Sequence, residues 1–248
     1  MKLKKLSVII PARNEAENLD ECVSEIAHSL INNSINHEIL VIDDGSTDNT
    51  ANVIEGLCDR FSSVICIRNK EENGFGRAVN LGLKNFSGDA VAIMMADRSD
   101  CPYDLVRYWN TLQEGYECVL GSRFISGGKV LDYPWFKLLM NRLVNTMIRF
   151  AFNINYNDTT NAFKMYRRDV INGCSPFISP HFNLTVEIPL KAIIRGYSWK
   201  AVPISWKNRT RGLAKLKLRE MGSRYFFIIA YLWLEKFFSR GDYLKNER

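Results

Sequence analysis

Adjacent carboxylates at Asp43 and Asp44, in the run Val41-Ile-Asp-Asp-Gly-Ser-Thr-Asp48, stand where an apolar segment gives way to a turn. Acids in that position can meet a cation or accept hydrogen bonds from a polar ligand. Gly45 is free to take positive φ, and Ser46, Thr47 or Asp48 can cap a following helix. Taken alone, the run reads better as an Asx-type turn with an N-cap. Repetition changes the balance. Residues 6–10 end in Pro11-Ala-Arg-Asn-Glu15, and residues 90–94 end in Met95-Ala-Asp97-Arg-Ser99-Asp100. If these runs are strands of one parallel sheet, Asp43, Asp44 and Asp97 share a cleft at its carboxyl edge, where ligands of open α/β sheets bind. Clustered like charges are costly there unless a cation or a ligand rich in donors joins them. A nucleotide with a divalent metal meets that need.

The elements that position these groups follow from periodicity. Apolar residues at helical spacing (Leu19, Val23, Ile26, Ala27, Leu30) predict a helix over 15–30, and Val53, Ile54 and Leu57 predict another over 48–61. Residues 64–67 read as a strand. The loop from Asn69 to Gly74-Phe-Gly76-Arg77 precedes a helix with the stripe Val79, Leu81, Leu83. Its glycines allow close approach to a ligand, and Arg77 in the first turn can meet a phosphate or base. A flexible loop with a solvated arginine accounts for them equally well. Further on, helices are expected over 103–112, 136–152 and 184–194, and strands over 118–120 and near 199–206. Strands alternating with helices imply parallel pairing through helical crossovers. Lys137 and Asn141 lie four apart and share one helix face, which matters only if that face looks into the cleft.

The 248 residues are enough for one large α/β domain with a sizeable core. Apolar residues at 46% and charged residues at 24% are ordinary for a folded soluble protein. The net charge of +6 is unevenly placed, with Lys207, Arg209, Arg211, Lys215, Lys217, Arg219 and Arg224 in one stretch. Such a block seeks phosphates or an anionic lipid surface; a nucleic-acid role does not fit the acidic rims. The six cysteines form no Cys-x-x-Cys pair, which speaks against zinc, and Cys66 and Cys118 read as small core residues in a reducing compartment. The apolar start is too short for a signal peptide, so the expected location is cytoplasmic. The aromatic run 225–238 is shorter than the about 20 residues that a span needs. It is expected either to lie in a membrane interface or to dock on the domain, on a second subunit or on a membrane-protein partner.

Together these blocks resemble glycosyltransferase family 2, inverting enzymes of the GT-A fold, and within it the polyprenyl-phosphate (dolichyl-phosphate mannose synthase-like) branch. The likeness runs over about residues 6–218. Its carriers are the runs beginning at Pro11, Val41 and Gly74, with Met95-Ala-Asp97, Gly121-Ser-Arg123-Phe and Asp158-Thr-Thr-Asn-Ala-Phe163. The resemblance implies an α/β GT-A Rossmann-like nucleotide-diphospho-sugar transferase fold, a mostly parallel mixed sheet flanked by helices over 1–218. An apolar or amphipathic helix and tail would follow over 219–248.

It also implies a nucleotide-sugar site at Pro11, Ala12, Asn14, Glu15, Asp43, Asp44, Gly74, Arg77 and Ala96, with Asp97 and Arg123 catalytic. The acceptor phosphate would be held by Lys137, Asn141, Arg209 and Lys215. The expected cofactor is magnesium or manganese on Asp97 and Ser99. Met95 stands where the family commonly has the first acid of Asp-x-Asp, so metal binding is weakened unless Ser99, Asp100 or substrate phosphates supply oxygens. A lipid-phosphate acceptor is already anionic and requires no general base, and none is apparent in the sequence. The expected function is therefore sugar transfer to a polyprenyl phosphate at the cytoplasmic membrane face. A sugar-hydroxyl acceptor and a non-catalytic nucleotide-sugar-binding subunit are the alternatives.

Overall fold

The chain, described over residues 2–208 and 218–245 in a computed structural model, alternates strands and helices along its first half. β1 (Leu6–Ala12), α1 (Ala16–Asn32), β2 (His37–Asp43), α2 (Thr50–Arg60), β3 (Val64–Arg68), α3 (Phe75–Asn85), β4 (Ala90–Ile93) and α4 (Pro102–Gln113) follow in order. Next come β5 (Cys118–Ser122), β6 (Lys129–Leu131), α5 (Trp135–Phe152), β7 (Lys164–Arg167) and α6 (Arg168–Cys174). The chain continues with α7 (Leu184–Ile194), β8 (Trp199–Pro203), β9 (Ser205–Lys207) and α8 (Leu218–Phe238).

Seven strands form one sheet in the order β3-β2-β1-β4-β7-β5-β8. The first four are mutually parallel, β7 runs antiparallel to β4 and β5, and β8 is parallel to β5. Both faces are covered, which is why these strands read as continuous apolar runs rather than alternating ones. Val8, Ile10, Ile39 and Val41 point into a core with Leu19, Val23 and Ile26 of α1 and Leu105 and Leu112 of α4. Ile9, Leu40 and Ile42 point the other way, against Val79 of α3 and Leu184 and Ile188 of α7. A third cluster joins Ile148 and Phe152 of α5, Val186 and Leu190 of α7, and Ile228 and Leu232 of α8.

Several local expectations change. The strand expected near 199–206 is two, because Pro203 ends the pairing of β8 with β5 and the next residues pair with β6 instead. α3 buries Gly76, Ala78, Val79 and Gly82 rather than Leu81 and Leu83, which are half-buried. Cys118 is a core residue, but Cys66 is exposed on the edge strand β3. β6 and α6 are short and carry no clear period, so the sequence did not announce them. Among the described residues no helix is long and apolar enough to cross a membrane.

Candidate active site

β1 lies between β2 and β4, so the chain changes direction across the sheet at β1, and the crevice beside such a reversal is where open α/β sheets take ligands. Main-chain bonds from Asp44 N to the Ala12 carbonyl (2.8 Å) and from Met94 N to the Ile9 carbonyl (3.0 Å) carry the pairing to the strand ends. Pro11 and Ala12 are the buried last two residues of β1. Asn14 takes φ 52°, and its Oδ1 accepts the Thr47 amide (2.7 Å) while its own amide donates to Ser46 Oγ (3.0 Å). Glu15 donates its amide to Thr50 Oγ1 (3.0 Å), and its carboxylate accepts from Asn18 Nδ2 (3.0 Å). Asp43 Oδ1 accepts the Ser46 amide (2.9 Å), with Arg68 Nε 4.0 Å away. These contacts stitch the loops after β1 and β2 into one rim.

Asp44 turns to a different task. Its two carboxylate oxygens accept Asn69 Nδ2 (2.7 Å) and the Gly74 amide (2.8 Å), both buried, so it holds the loop before α3. Neither Asp43 nor Asp44 lines the cavity beside Asp97. The glycines of that loop are also used by the protein itself. A Cβ on Gly74 would stand 2.4 Å from the Pro180 carbonyl oxygen, and one on Gly76 2.2 Å from that of Ser179. The close backbone approach that glycine allows here is to residues 179–181. Arg77 donates its amide to the Pro180 carbonyl (3.2 Å), and its guanidinium pairs with Glu72 (2.5 Å).

The third strand end forms a tight loop. Ala96 is buried, Asp97 Oδ1 accepts the Ser99 amide (3.1 Å), and Asp100 Oδ2 accepts the Met95 amide (3.0 Å). Arg98, at φ 62°, pairs with Glu21 and Glu25 of α1. β9 fastens to this loop, with the Lys207 amide on the Ser99 carbonyl (3.2 Å) and a bridge between Asp100 and Trp206. Between them lies a cavity of about 310 Å³, whose lining includes Asn18, Asp97, Ser99, Asp100, Trp206 and Lys207. Burial pushes the Asp100 carboxyl up to about 7, the Met95 amide opposes this, and the Asp97 charge adds to the rise. The Arg123 charge draws it back down, and hard oxygens such as those of Asp97 and Ser99 suit a divalent cation. No group of three or more His, Cys, Asp or Glu placed to hold a metal occurs among the described residues, so a bound ion would rely on substrate oxygens as well.

Arg123, just beyond β5, is 7% exposed and held by a residue that the sequence reading left out of the site. Asp158 accepts from Arg123 Nε (2.8 Å), from its terminal nitrogen (2.7 Å) and from its backbone amide (3.0 Å). Burial alone would lower the Arg123 pKa; the fully buried Asp158 outweighs it and keeps the guanidinium protonated. The rings of Phe124, Tyr133 and Trp206 stand 5.3, 5.5 and 5.6 Å from the guanidinium carbon. Trp206 thus touches Arg123 and also walls the Asp97 cavity. Asp158 was legible as part of a polar motif. Its partnership with Arg123 was not.

On α5, Asn141 Nδ2 donates to Thr160 Oγ1 (2.8 Å), the same oxygen that Asn145 reaches at 3.0 Å. Lys137, one turn earlier, is exposed. Arg209 and Lys215 lie outside the described residues.

The comparisons with known proteins agree on the family. Residues 7–174 match the model described as glycosyl transferase family 2. A dolichol-phosphate mannosyltransferase from Pyrococcus furiosus is 33% identical over 217 residues, covering 86% of this chain and 59% of that protein, so the chain spans less than two thirds of its length. A polyprenol monophosphomannose synthase from Mycolicibacterium smegmatis is 32% identical over 217 residues, 84% of this chain and 80% of the relative.

Among solved structures, glucosyl-3-phosphoglycerate synthase from Mycobacterium tuberculosis with Mn2+, UDP and glucosyl-3-phosphoglycerate superposes with a TM-score of 0.69 at 19% identity, over 94% of this chain and 80% of that one. The same enzyme with Mg2+ and UDP gives 0.68 at 20%, over 94% and 79%. At that identity the likeness shows the fold, which is GT-A. A mostly parallel sheet with its crevice at β1, bearing the motif residues in family order along the matched segment, therefore makes this chain a member of glycosyl transferase family 2.

Proposed function

We propose that the chain transfers a sugar, with inversion, from a nucleotide-diphosphate sugar to a polyprenyl phosphate at the cytoplasmic face of a membrane. The observation that carries this reading lies along α5. Asn141 is bonded into the turn that holds Arg123, while Trp135, Phe136, Leu139, Met140 and Leu143 stand exposed on the same helix. A water-soluble acceptor needs no such surface; a lipid phosphate needs both ends of it. α8 adds exposed Phe226, Phe227, Leu234, Phe237 and Phe238. The names of the curated relatives, a dolichol-phosphate mannosyltransferase and a polyprenol monophosphomannose synthase, point the same way.

In this reading the nucleoside and diphosphate lie along the rim of Pro11, Ala12, Asn14, Glu15 and Asp43, with Ala96, Gly74 and Arg77 bordering it and Asp44 keeping the Gly74 loop in place. Asp97, with Ser99, would hold a magnesium or manganese ion, which supplies charge neutralisation at the leaving diphosphate. Arg123, protonated and fixed by Asp158, stabilises developing negative charge without reorganising. Lys137 and Asn141, with Arg209 and Lys215 from outside the described residues, hold the acceptor phosphate. Its oxygen attacks the anomeric carbon in line, the bond to the diphosphate breaks, and no proton need be removed. The basic stretch 207–224 draws the protein to an anionic surface, at about 1 kcal/mol per cation.

The test incubates the full chain with a panel of nucleotide sugars, Mg2+, and vesicles carrying undecaprenyl or dolichyl phosphate. Mass spectrometry should find a sugar phosphodiester of the lipid, and NMR of the product an inverted anomeric configuration. Transfer to sugar hydroxyls alone would replace this acceptor with the runner-up. Nucleotide-sugar binding without transfer to either would leave a binding subunit.

A further inference from the structure

One buried cation takes no direct part in the chemistry above. Lys164, the first residue of β7, is 1% exposed, and its Nζ donates to the carbonyls of Thr159 (3.0 Å), Asn161 and Thr185 (3.2 Å). Among the described residues no carboxylate contacts it directly; the charges acting on it are those of Asp158, Arg123 and Asp100. Its surroundings are otherwise apolar, including Phe75, Ile93, Tyr166, Leu184 and Ile188. An ammonium in such a place costs stability, and a methionine would fill similar volume without desolvating a charge. Burial accordingly draws its pKa down to about 7, against the pull of Asp158. Stability is therefore not what the charge supplies.

What it supplies is visible in its partners. Thr159 and Asn161 flank Thr160, whose hydroxyl accepts from Asn141 and Asn145 of α5. Asp158, the preceding residue, clamps Arg123. The third carbonyl belongs to α7, so the three donors of one ammonium tie this turn to the helix beneath it. In the sheet, Lys164 pairs with Ile93 of β4 and Leu120 of β5, the strands that lead to Asp97 and to Arg123.

We propose that Lys164 is a positioning residue: it fixes the turn 158–161, and through that turn the guanidinium of Arg123 and the amide of Asn141. The inference deepens the proposed sugar transfer and rests on it. A displacement of about 1 Å at groups that orient reactants costs up to about a hundredfold in rate, whereas groups on the nucleoside rim are untouched. The loss should therefore fall on kcat and on the lipid-phosphate KM, and spare the donor.

The test uses the full chain in three forms, wild type, Lys164→Met and Lys164→Arg, with the most active nucleotide sugar and vesicles of undecaprenyl phosphate. Lys164→Met should remain folded, lose about 10- to 100-fold in kcat and raise the lipid-phosphate KM, with the nucleotide Kd within about twofold of wild type. Lys164→Arg, which keeps a cation and its donors, should recover most of kcat. Should the Met form not fold, Lys164→Gln carries the same readouts. Wild-type kcat and KM in the neutral variants, or a loss shared equally by nucleotide binding and left unrescued by Arg, would overturn the proposal. An inactive wild type would instead fell the sugar-transfer reading on which it rests.

Discussion

In the proposed reaction Asp97 is the acid at the leaving diphosphate, and it lines the cavity beside β9, whereas Asp44 serves the Gly74 loop, Asp158 holds Arg123, and Glu21 and Glu25 pair with Arg98. Asp97→Asn keeps the size and one acceptor oxygen but removes the charge, so turnover should fall about a hundredfold or more with a smaller change in nucleotide affinity. Steady-state kinetics beside calorimetry will separate the two, and near-normal kcat would remove Asp97 from the site.

Lys164 gives a pH signature at the same scale. Its pKa falls on folding from 10.5 to about 7, so between those values the folded chain binds fewer protons than the unfolded one, and stability rises with pH across that window. The charges facing it are Asp158, Arg123 and Asp100. The difference in Tm between wild type and Lys164→Met should therefore shift in favour of wild type as pH rises from 7 to 10. A difference that stays constant with pH would mean that this lysine titrates as an exposed one does.

Among the elements, α3 and α5 are each constrained from two sides. α3 begins at Gly74 against residues 179–181, which are held from below by Glu187 of α7, whose carboxylate accepts the Ile178 and Ser179 amides (2.9 and 2.8 Å) and pairs with buried Lys191 (2.8 Å). Gly76→Ala places a methyl where the Ser179 carbonyl now stands, and backbone cannot swing aside as a side-chain tip can. A loss of about 1–3 kcal/mol is expected in denaturant unfolding, together with weaker nucleotide binding as the loop shifts.

α5 divides its faces between Asn145, Ile148 and Phe152, which are buried, and an apolar surface that stays exposed. Leu139→Asp with Leu143→Asp, at 57% and 52% exposure, should leave Tm nearly unchanged while reducing co-sedimentation with anionic vesicles and activity on a long-chain acceptor. Unaltered sedimentation would remove α5 from the proposed membrane contact.

For the whole molecule, α8 is bound into the fold. Ile228 and Leu232 are fully buried against α5 and α7, and Glu235 accepts from Nε and one terminal nitrogen of Arg195 (2.7 and 3.0 Å). Deleting the helix would uncover this core as well as any lipid-facing aromatics, so truncation confounds stability with membrane binding. Point changes separate them. Glu235→Ala leaves Arg195 buried without its carboxylate and should cost about 3 kcal/mol, seen as a lower midpoint in urea, with vesicle binding by the remaining folded protein intact. Loss of vesicle binding without loss of stability would place Glu235 on the membrane contact instead.

The alternation of apolar strands with amphipathic helices determined the crossover topology from sequence alone, because period and length are local properties of the chain. It also determined that the strand ends at Pro11, Asp43 and Asp97 would meet at one rim, since parallel strands bring like ends together. What each polar side chain does at that rim was settled by tertiary contacts. Asp44 spends its carboxylate on a residue 30 positions away, and Arg123 takes its partner 35 positions away. Gly74 and Gly76 meet residues 179–181, and β9 leaves β8 to fasten the Asp97 loop. Two adjacent acids, a glycine pair and a lone lysine are written alike whether they face ligand, backbone or solvent. Only the packing of distant segments, which leaves no periodic trace in the sequence, decides among those partners.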